Sequence, residues 1–550
     1  MSTNYVEIKT ALISVTDKSG LTDFVKELRE INPNITFIAS GGTAKALEKQ
    51  GINYTALSDY TKFPECFGGR VKTLHPAVAG GILMRRGQDE AEAKPLGIQP
   101  IDLVICNLYD FEKAAQDQDA AIGQLIESMD IGGSTLIRSA TKNHAYVTLV
   151  VDPADYPVVL EELRNNQGKI SLQTRERLAL KGIHLSANYE SLLAREFSSR
   201  LTGEEIDQPK LIQGRKLRYG ENPDQAAWVY HFDQQEGIAQ AKVVSGKELS
   251  YNNYEDATAA YHAALELHKI GTKHGAAVVK HGSLCGYATA KNLPDAFRHA
   301  WDGDSKSAFG SVIALTSKVD DEMIEALKGK FVEVIISPDY SETFVSWAKE
   351  HKPNLRLLQV PLNVESTDLY KNISGGMLRQ TRKGSLFATS WNELFQSAGE
   401  GKAGVVTKHQ PSQELQGLYA FGVAAVYFAK SNAIAIARET APGCYQLIGM
   451  GAGQPNRVDS LNRLAIPKAI DNLKEEHAEN EDYNPNDDLA KCVIASDGFF
   501  PFDDSIRTAA KYGFQHCIQP GGSKRDQEVI DAADELGMSM VFTGKRYFSH

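Results

Sequence analysis

The chain has 550 residues, 42% of them hydrophobic and 23% charged, an ordinary globular composition in more residues than one core usually serves. Its net charge of −11 argues against non-specific nucleic-acid binding, so any anion site must be assembled locally from a few cations and backbone amides. The six cysteines are scattered without a CxxC pair, which excludes the usual zinc spacings and a disulfide framework.

The opening MSTNYVEIKT lacks the apolar core of a signal peptide, so a cytoplasmic protein is expected. TALISV (10–15) then reads as a strand, TDKSG as its turn and LTDFVKELREI (21–31) as a helix with one apolar stripe. ITFIAS (35–40) is a second strand, followed by SGGT and a helix over AKALEKQ that Gly51 ends. PIDLVICNLYDF (100–111) and AYVTLVVD (145–152) read as buried strands. Strands alternating with helices imply a mainly parallel sheet covered on both faces. Ligands collect at the carboxyl ends of such strands, so TDKSG, SGGT and CNLY are expected to converge.

Residues 201–216, LTGEEIDQPKLIQGRK, carry Gly, Pro and charges without periodicity and read as a linker. Beyond them come the loop RYGENP, a helix over 255–269 and the strand that opens AVVKHGSLCG (277–286). FVEVIISP, SNAIAIAR, QLIGMGAG, CVIAS and SMVFTG are further strands, enough for two α/β lobes. The apolar run YAFGVAAVYFAK (419–430) is too short for a bilayer, and KEEHAENEDYNPNDD (474–488) is polar enough for an exposed loop or ragged helix end.

In the first part the densest segment is FGGRVKTLHPAVAGG (67–81), where Arg70 and Lys72 share a face if the segment is extended. SGGT leads into a helix, where free amides and the dipole bind phosphate. DIGGSTLIRSATKNH (130–144) repeats the idea with Asp130, two glycines and Lys142. In the second part Lys280 and His281 are neighbours in a strand and should point to opposite faces. They can serve one site only if the chain bends at once, and Gly282 and Gly286 offer that freedom. QLIGMGAGQPNR falls short of the dinucleotide fingerprint, while IQPGGSKRD (518–526) is a further candidate anion turn.

Taken together, ISVTDKSGL, ASGGTAKAL, GRVKTLHPAV, CNLY, DIGGSTLIRSATKNH, LRYGENP, KELSYNN, SAFG, KSNAI, GAGQPNRVDS, FFPF, QPGGS and DELG occur in the order of one family. The chain resembles, nearly end to end, the bifunctional purine biosynthesis proteins, in which phosphoribosylaminoimidazolecarboxamide formyltransferase is joined to IMP cyclohydrolase. The resemblance implies an α/β fold throughout. A methylglyoxal-synthase-like domain with a parallel sheet, the cyclohydrolase, would span 1–199. Two cytidine-deaminase-like α/β lobes without the deaminase zinc, the formyltransferase, would span 200–550. It implies the last two steps of IMP synthesis, with 10-formyltetrahydrofolate as co-substrate and a homodimer sharing formyltransferase sites. Small molecules are the only other partners expected, with neither nucleic acid nor membrane. It leaves open whether a monovalent cation binds.

The resemblance also carries roles onto matching residues. Thr16, Lys18, Ser40, Gly41, Gly42 and Thr43 match a nucleotide-phosphate cradle. Arg70, Lys72, Thr73, Cys106, Asn107, Tyr109, Asp130 and Ile131 match the cyclohydrolase pocket, with Lys142 in the proton-transfer position. Lys280 and His281 match the formyltransferase pair, beside Asn432. Arg218, Tyr219, Gly310, Glu333, Arg457, Phe499 and Arg546 match positions that hold the ribonucleotide, and Val458, Asp504, Ser523 and Lys524 those that hold folate. The chain departs from the family pattern at Ala79, Asp224, Leu284, Asp503 and Ser549, none of them a proposed catalytic group. An oxidoreductase would need a true dinucleotide fingerprint, and a non-catalytic nucleotide sensor would not need Lys280–His281 and Lys72–Lys142 together.

Overall fold

The computed structural model describes residues 4–549 apart from 118, 233–235, 271–273, 364–367, 383, 385, 387–393 and 395–402. The chain divides after Pro209 into two compact units. In the first, strands β1 (Thr10–Ser14), β2 (Thr36–Ala39), β3 (Thr55–Ala56), β4 (Leu103–Cys106) and β5 (Thr148–Val150) form a sheet in the order β3-β2-β1-β4-β5. Every pairing in it is parallel. Both faces are covered, which is why these strands read as unbroken apolar runs. Phe24, Val25 and Leu28 of helix α1 (Leu21–Ile31) pack with Ile13 and Ile105 on one side, while Leu136, Ile137 and Ala140 pack with Leu12 and Val104 on the other.

The strand order reverses between β1 and β4, and such a switch point opens a crevice at the carboxyl ends. The loops after β1, β2 and β4 therefore meet. Helix α2 (Gly41–Glu48) starts earlier than expected, taking both glycines of SGGT into its first turn, while Gly51 at φ 66° follows its end. Helix α3 spans Ile131–Lys142 and α4 Leu172–Thr202. The expected linker shrinks accordingly: α4 runs into it, and Leu211–Lys216 forms an antiparallel ribbon with Trp228–Phe232. Leu211 and Ile212 supply strand character that Gly214 and the neighbouring charges mask in the sequence.

The second unit is built on one twelve-stranded sheet. Its first half holds β6 (Lys242–Ser245), β7 (His274–Lys280), β8 (Ser283–Ala290), β9 (Ser311–Leu315), β10 (Val332–Ser337) and β11 (Arg356–Gln359). The other half holds β12 (Gly404–Val405), β13 (Ile434–Ala441), β14 (Cys444–Gly451), β15 (Val493–Ser496), β16 (His516–Gln519) and β17 (Ser539–Phe542). The order is β6-β11-β10-β9-β7-β8-β14-β13-β15-β16-β17-β12. Each half repeats one plan: an antiparallel hairpin, an antiparallel neighbour, two parallel strands and an antiparallel edge. The halves join where Ala288 of β8 pairs with Gln446 of β14.

Helices α5 (Tyr251–Lys269) and α7 (Gln416–Tyr427) cover one face, and α6 (Leu293–Asp302) and α8 (Ile466–Glu476) lie on the other. The apolar run at 419–430 is accounted for by α7, in which every residue from Leu418 to Tyr427 is buried. Among the described residues no helix is long and apolar enough to cross a membrane. In 474–488, α8 ends at Glu476, His477 stacks on Tyr483 with ring centroids 3.9 Å apart, and a short helix follows at Pro485–Leu489.

Two half-buried histidines give this unit a reason to lose stability in acid. Burial pushes the His262 imidazole, stacked on Phe428, down to about 3, and that of His516 to about 4. Above pH 6.5 both are neutral whether the chain is folded or not. As pH falls through 6.5 the unfolded chain binds protons that the folded chain does not, so stability is lost from pH 6.5 down to about 4 for His516 and about 3 for His262. In denaturant titrations at pH 7.5 and pH 5, His262→Phe should lose less of its midpoint than the wild type. An equal or larger loss contradicts this account.

Candidate active sites

In the first unit a crevice of about 400 Å³ lies at the switch point, lined by residues of the loops after β1, β2 and β4, the 68–73 loop and the start of α3. Asn107 clamps its floor: Oδ1 accepts from the amides of Thr16 (2.6 Å) and Asp17 (3.2 Å), and Nδ2 donates to Asp17 O at 2.9 Å. Thr43 ties α2 to β1 through the amide and carbonyl of Val15, both at 3.2 Å. No side chain caps α2, so its first amides face the crevice in the way that anions are bound. Two ammonium groups stand over that turn. A Cβ on Gly41 would lie 3.5 Å from Lys72 Nζ, and one on Gly42 would lie 3.8 Å from Lys18 Nζ.

The other wall starts at Asp130, the N-cap of α3, whose carboxylate accepts from the amides of Gly133 (2.6 Å) and Tyr109 (3.3 Å). Burial raises this carboxyl and the two amide bonds oppose the rise. Gly132 makes room for Thr73, whose Oγ1 would lie 2.6 Å from a Cβ there. Arg70 pairs with Glu127 at 2.8 Å and Lys72 faces Glu65 at 3.7 Å, two acids that the sequence reading missed. Thr16, Lys18, Ser40–Thr43, Arg70, Lys72, Thr73, Asn107, Tyr109, Asp130 and Ile131 all line the crevice.

Two expected residues do not. Cys106 is fully buried beneath it, with its thiol pushed up by burial. Lys142 ends α3 and is exposed, about 16 Å from Ile131 at the helical rise. The helix that begins at the crevice carries Lys142 away from it.

In the second unit Lys280 pairs with Ser283, leaving His281 and Gly282 as a two-residue hairpin turn with φ of 53° and 67°. Positive φ at both central residues is the type I′ geometry that joins right-handed twisted strands. Lys280 ends its strand with Nζ donating to Phe309 O at 2.6 Å, while His281 rises from the turn. The turn resolves the opposition of neighbouring faces. Gly286, expected to help the bend, lies within β8, where a Cβ would meet Ala300 O at 1.8 Å, so it admits helix α6 instead. A pocket of about 310 Å³ beside the turn is lined by Lys280, His281, Ser283–Cys285, Asp304, Met450 and Lys468, among others. The Asp304–Lys468 pair, 3.0 Å apart, joins the two halves there and was not legible in the sequence.

The first two glycines of GMGAG serve packing. A Cβ on Gly449 or Gly451 would collide with the carbonyls of Ala465 or Ser460, the two ends of a π-helical segment laid on β14.

Most of the other expected residues adjoin strand ends on the side of the sheet where the turn lies, while Arg218 and Tyr219 lie between the strands of the separate ribbon. Gly310 (φ 74°) opens β9, and Glu333 in β10 accepts from Asn253 Nδ2 at 2.9 Å. Asn432 (φ 60°) precedes β13 and donates to Gln454 O at 2.8 Å. Arg457 is buried against Asp497 at 2.7 Å and donates to Phe499 O at 2.9 Å, and Arg546 lies over the Phe499 ring at 5.1 Å. Arg457 Nε and Asp497 Oδ2 are buried without a partner. Val458 follows Arg457 in a short helix, and Asp504 opens the helix Asp504–Lys511. Arg218 stands over the Tyr219 ring at 4.7 Å.

The GGS turn is not an open anion site. Asp526 already accepts from the amides of Gly522 (2.7 Å) and Ser523 (3.1 Å). Among the described residues no group of three or more His, Cys, Asp or Glu gathers to hold a metal ion.

Fold and sites together define a two-unit α/β enzyme, with a crevice of free amides and ammonium groups in one unit and a Lys–His hairpin in the other. Residues 20–135 match the MGS-like domain and residues 140–468 the AICARFT/IMPCHase bienzyme. The bifunctional purine biosynthesis protein PurH of Persephonella marina is 40% identical over 98% of this chain and 100% of its own. PurH of Streptococcus pneumoniae is 39% identical with the same coverage. A solved chain titled "Crystal structure of ForH" is 31% identical, covering 34% of this chain and 99% of its own, with a TM-score of 0.31. The chain belongs to the AICARFT/IMPCHase bienzyme family, the bifunctional purine biosynthesis proteins.

Proposed function

We propose that the two units divide the family's reactions, the last two steps of IMP biosynthesis, with formyl transfer in the second unit and ring closure in the first. The observation that carries this reading is the type I′ turn that lifts His281 out of its strand beside Lys280. In formyl transfer the 5-amine nitrogen of the aminoimidazole carboxamide ribonucleotide attacks the formyl carbon of 10-formyltetrahydrofolate. The bond to N10 breaks and N10 takes a proton. The amine is a poor nucleophile because its lone pair is delocalised into the ring, so His281 removes its proton during attack. Lys280 and Asn432 offset the charge of the tetrahedral intermediate. Arg218, Tyr219, Gly310, Glu333, Arg457, Phe499 and Arg546 hold the ribonucleotide, and Val458, Asp504, Ser523 and Lys524 hold the folate.

Ring closure is intramolecular: the carboxamide nitrogen attacks the formyl carbon and water leaves. It needs a held conformer, a cation at the developing oxyanion and a proton carrier. The amides of Gly41–Thr43, with Lys18 and Thr16, take the phosphate. Lys72 and Arg70 face the oxyanion, while Tyr109 and Asp130, whose carboxyl burial raises, handle protons. Lys142 receives no role in this reading.

The repeated strand plan supports cytidine-deaminase-like lobes for the second unit, and exposed Leu211, Trp228 and Tyr230 suit a homodimer. Cytoplasmic residence fits reactions on soluble substrates.

A polypeptide of residues 1–209 tests the division. Cutting at 199 would remove Arg200, whose guanidinium holds the carbonyls of Ala115 (2.8 Å) and Asp117 (3.1 Å). The longer piece should close the ring of supplied formylated nucleotide at a rate near that of the full chain. If it folds and does not, the second unit completes that site.

A further inference from the structure

We propose that Asp256 is a positioning residue for formyl transfer, holding the turn from which His281 acts. The proposal rests on His281 as the base. Asp256 lies on α5, and its carboxylate accepts both amides of the turn: His281 N to Oδ2 at 3.1 Å and Gly282 N to Oδ1 at 2.6 Å. These are charge-assisted bonds in a bidentate arrangement, which fixes direction as well as distance. The turn needs such a clasp. A type I′ turn favours Asn or Gly at its first central position, and His281 sits there at φ 53°, a region that few side chains occupy.

The supporting helix is itself pinned. Ser250 and Asn253 form a capping box at the start of α5, and Asn253 Nδ2 bonds Glu333 at 2.9 Å. Asp256 is three residues further on, on the same helix face. One face of α5 therefore ties the start of β10 to the tip of the β7–β8 hairpin, and the imidazole inherits that rigidity. Without Asp256 both amides turn to water and the hairpin tip loses its fixed direction. Displacing a reacting group by about 1 Å costs on the order of 10²-fold in rate.

The full-length protein decides this through four variants. Asp256→Ala should lower kcat for formyl transfer ~10²-fold with KM for both substrates nearly unchanged, and Asp256→Asn, which keeps one acceptor, should lose ~10-fold. Ring closure of supplied formylated nucleotide should stay at the wild-type rate, showing that the chain is folded. Added to His281→Ala, the Asp256→Ala change should cost nothing further, because a positioning residue has nothing left to position. Wild-type kcat in Asp256→Ala, a raised KM at constant kcat, or a full further loss in the double variant overturns the proposal. If Asp256→Ala also loses ring closure, Asp256→Asn decides by the same criteria. His281→Ala alone at the wild-type rate would instead remove the assignment of the base.

Discussion

His281→Ala should reduce formyl transfer by ~10²–10⁴-fold, the usual cost of a lost general base, and leave ring closure of supplied formylated nucleotide near normal. The imidazole stands at the tip of a two-residue turn, and the backbone amides of that turn, not the ring, are bonded to Asp256. Shortening the side chain therefore removes a proton acceptor without disturbing the clasp. The clasp and the pairing of Lys280 with Ser283 remain, so the hairpin keeps its register. Stopped-time assays with the aminoimidazole carboxamide ribonucleotide and 10-formyltetrahydrofolate, followed by folate release, measure the loss. An unchanged rate would make His281 a surface residue at a strand end. Loss of both reactions in a folded protein would mean one shared site.

Lys72→Ala should do the reverse, slowing ring closure by ~10²–10³-fold, as removal of an oxyanion-stabilising group does. Lys72 Nζ stands over the first turn of α2, where the free amides already gather positive potential, and its ion pair with Glu65 is long at 3.7 Å. Little of its charge is neutralised by a partner, so most of it is available to the substrate. Formyl transfer, which this account places in the other unit, should run at the wild-type rate. Fed with unformylated nucleotide and folate, the variant should release tetrahydrofolate while IMP lags. Prompt IMP formation would show that Lys72 only lines the crevice.

Much of the first unit was legible because local signals agree with the fold. The stripe of LTDFVKELREI is the helix Leu21–Ile31, and the alternation of strands and helices is the parallel sheet whose switch point brings TDKSG, SGGT and CNLY together. Spacing misleads where a segment is longer than it looks. Asp130 and Lys142 are twelve residues apart in one motif, but a straight helix between them puts them at opposite ends.

Glycine was the least readable residue. Gly282 serves the turn, while Gly286, Gly449 and Gly451 admit a neighbouring backbone, and nothing in the letters distinguishes the two uses. Contacts between distant residues were invisible. Asp256 meets His281 across 25 positions, Asp304 meets Lys468 across the join of two halves, and Asp526 fills the GGS turn with the protein's own anion.

The central claim is that two sites act in sequence, one in each unit. It is tested most directly by mixing His281→Ala and Lys72→Ala proteins, each nearly silent alone, with ribonucleotide and 10-formyltetrahydrofolate. The Lys72 variant should formylate the nucleotide, the His281 variant should close its ring, and IMP should appear at a rate approaching that of the wild type. If both proteins are folded and the mixture forms no more IMP than the two variants do separately, the two-site account is wrong.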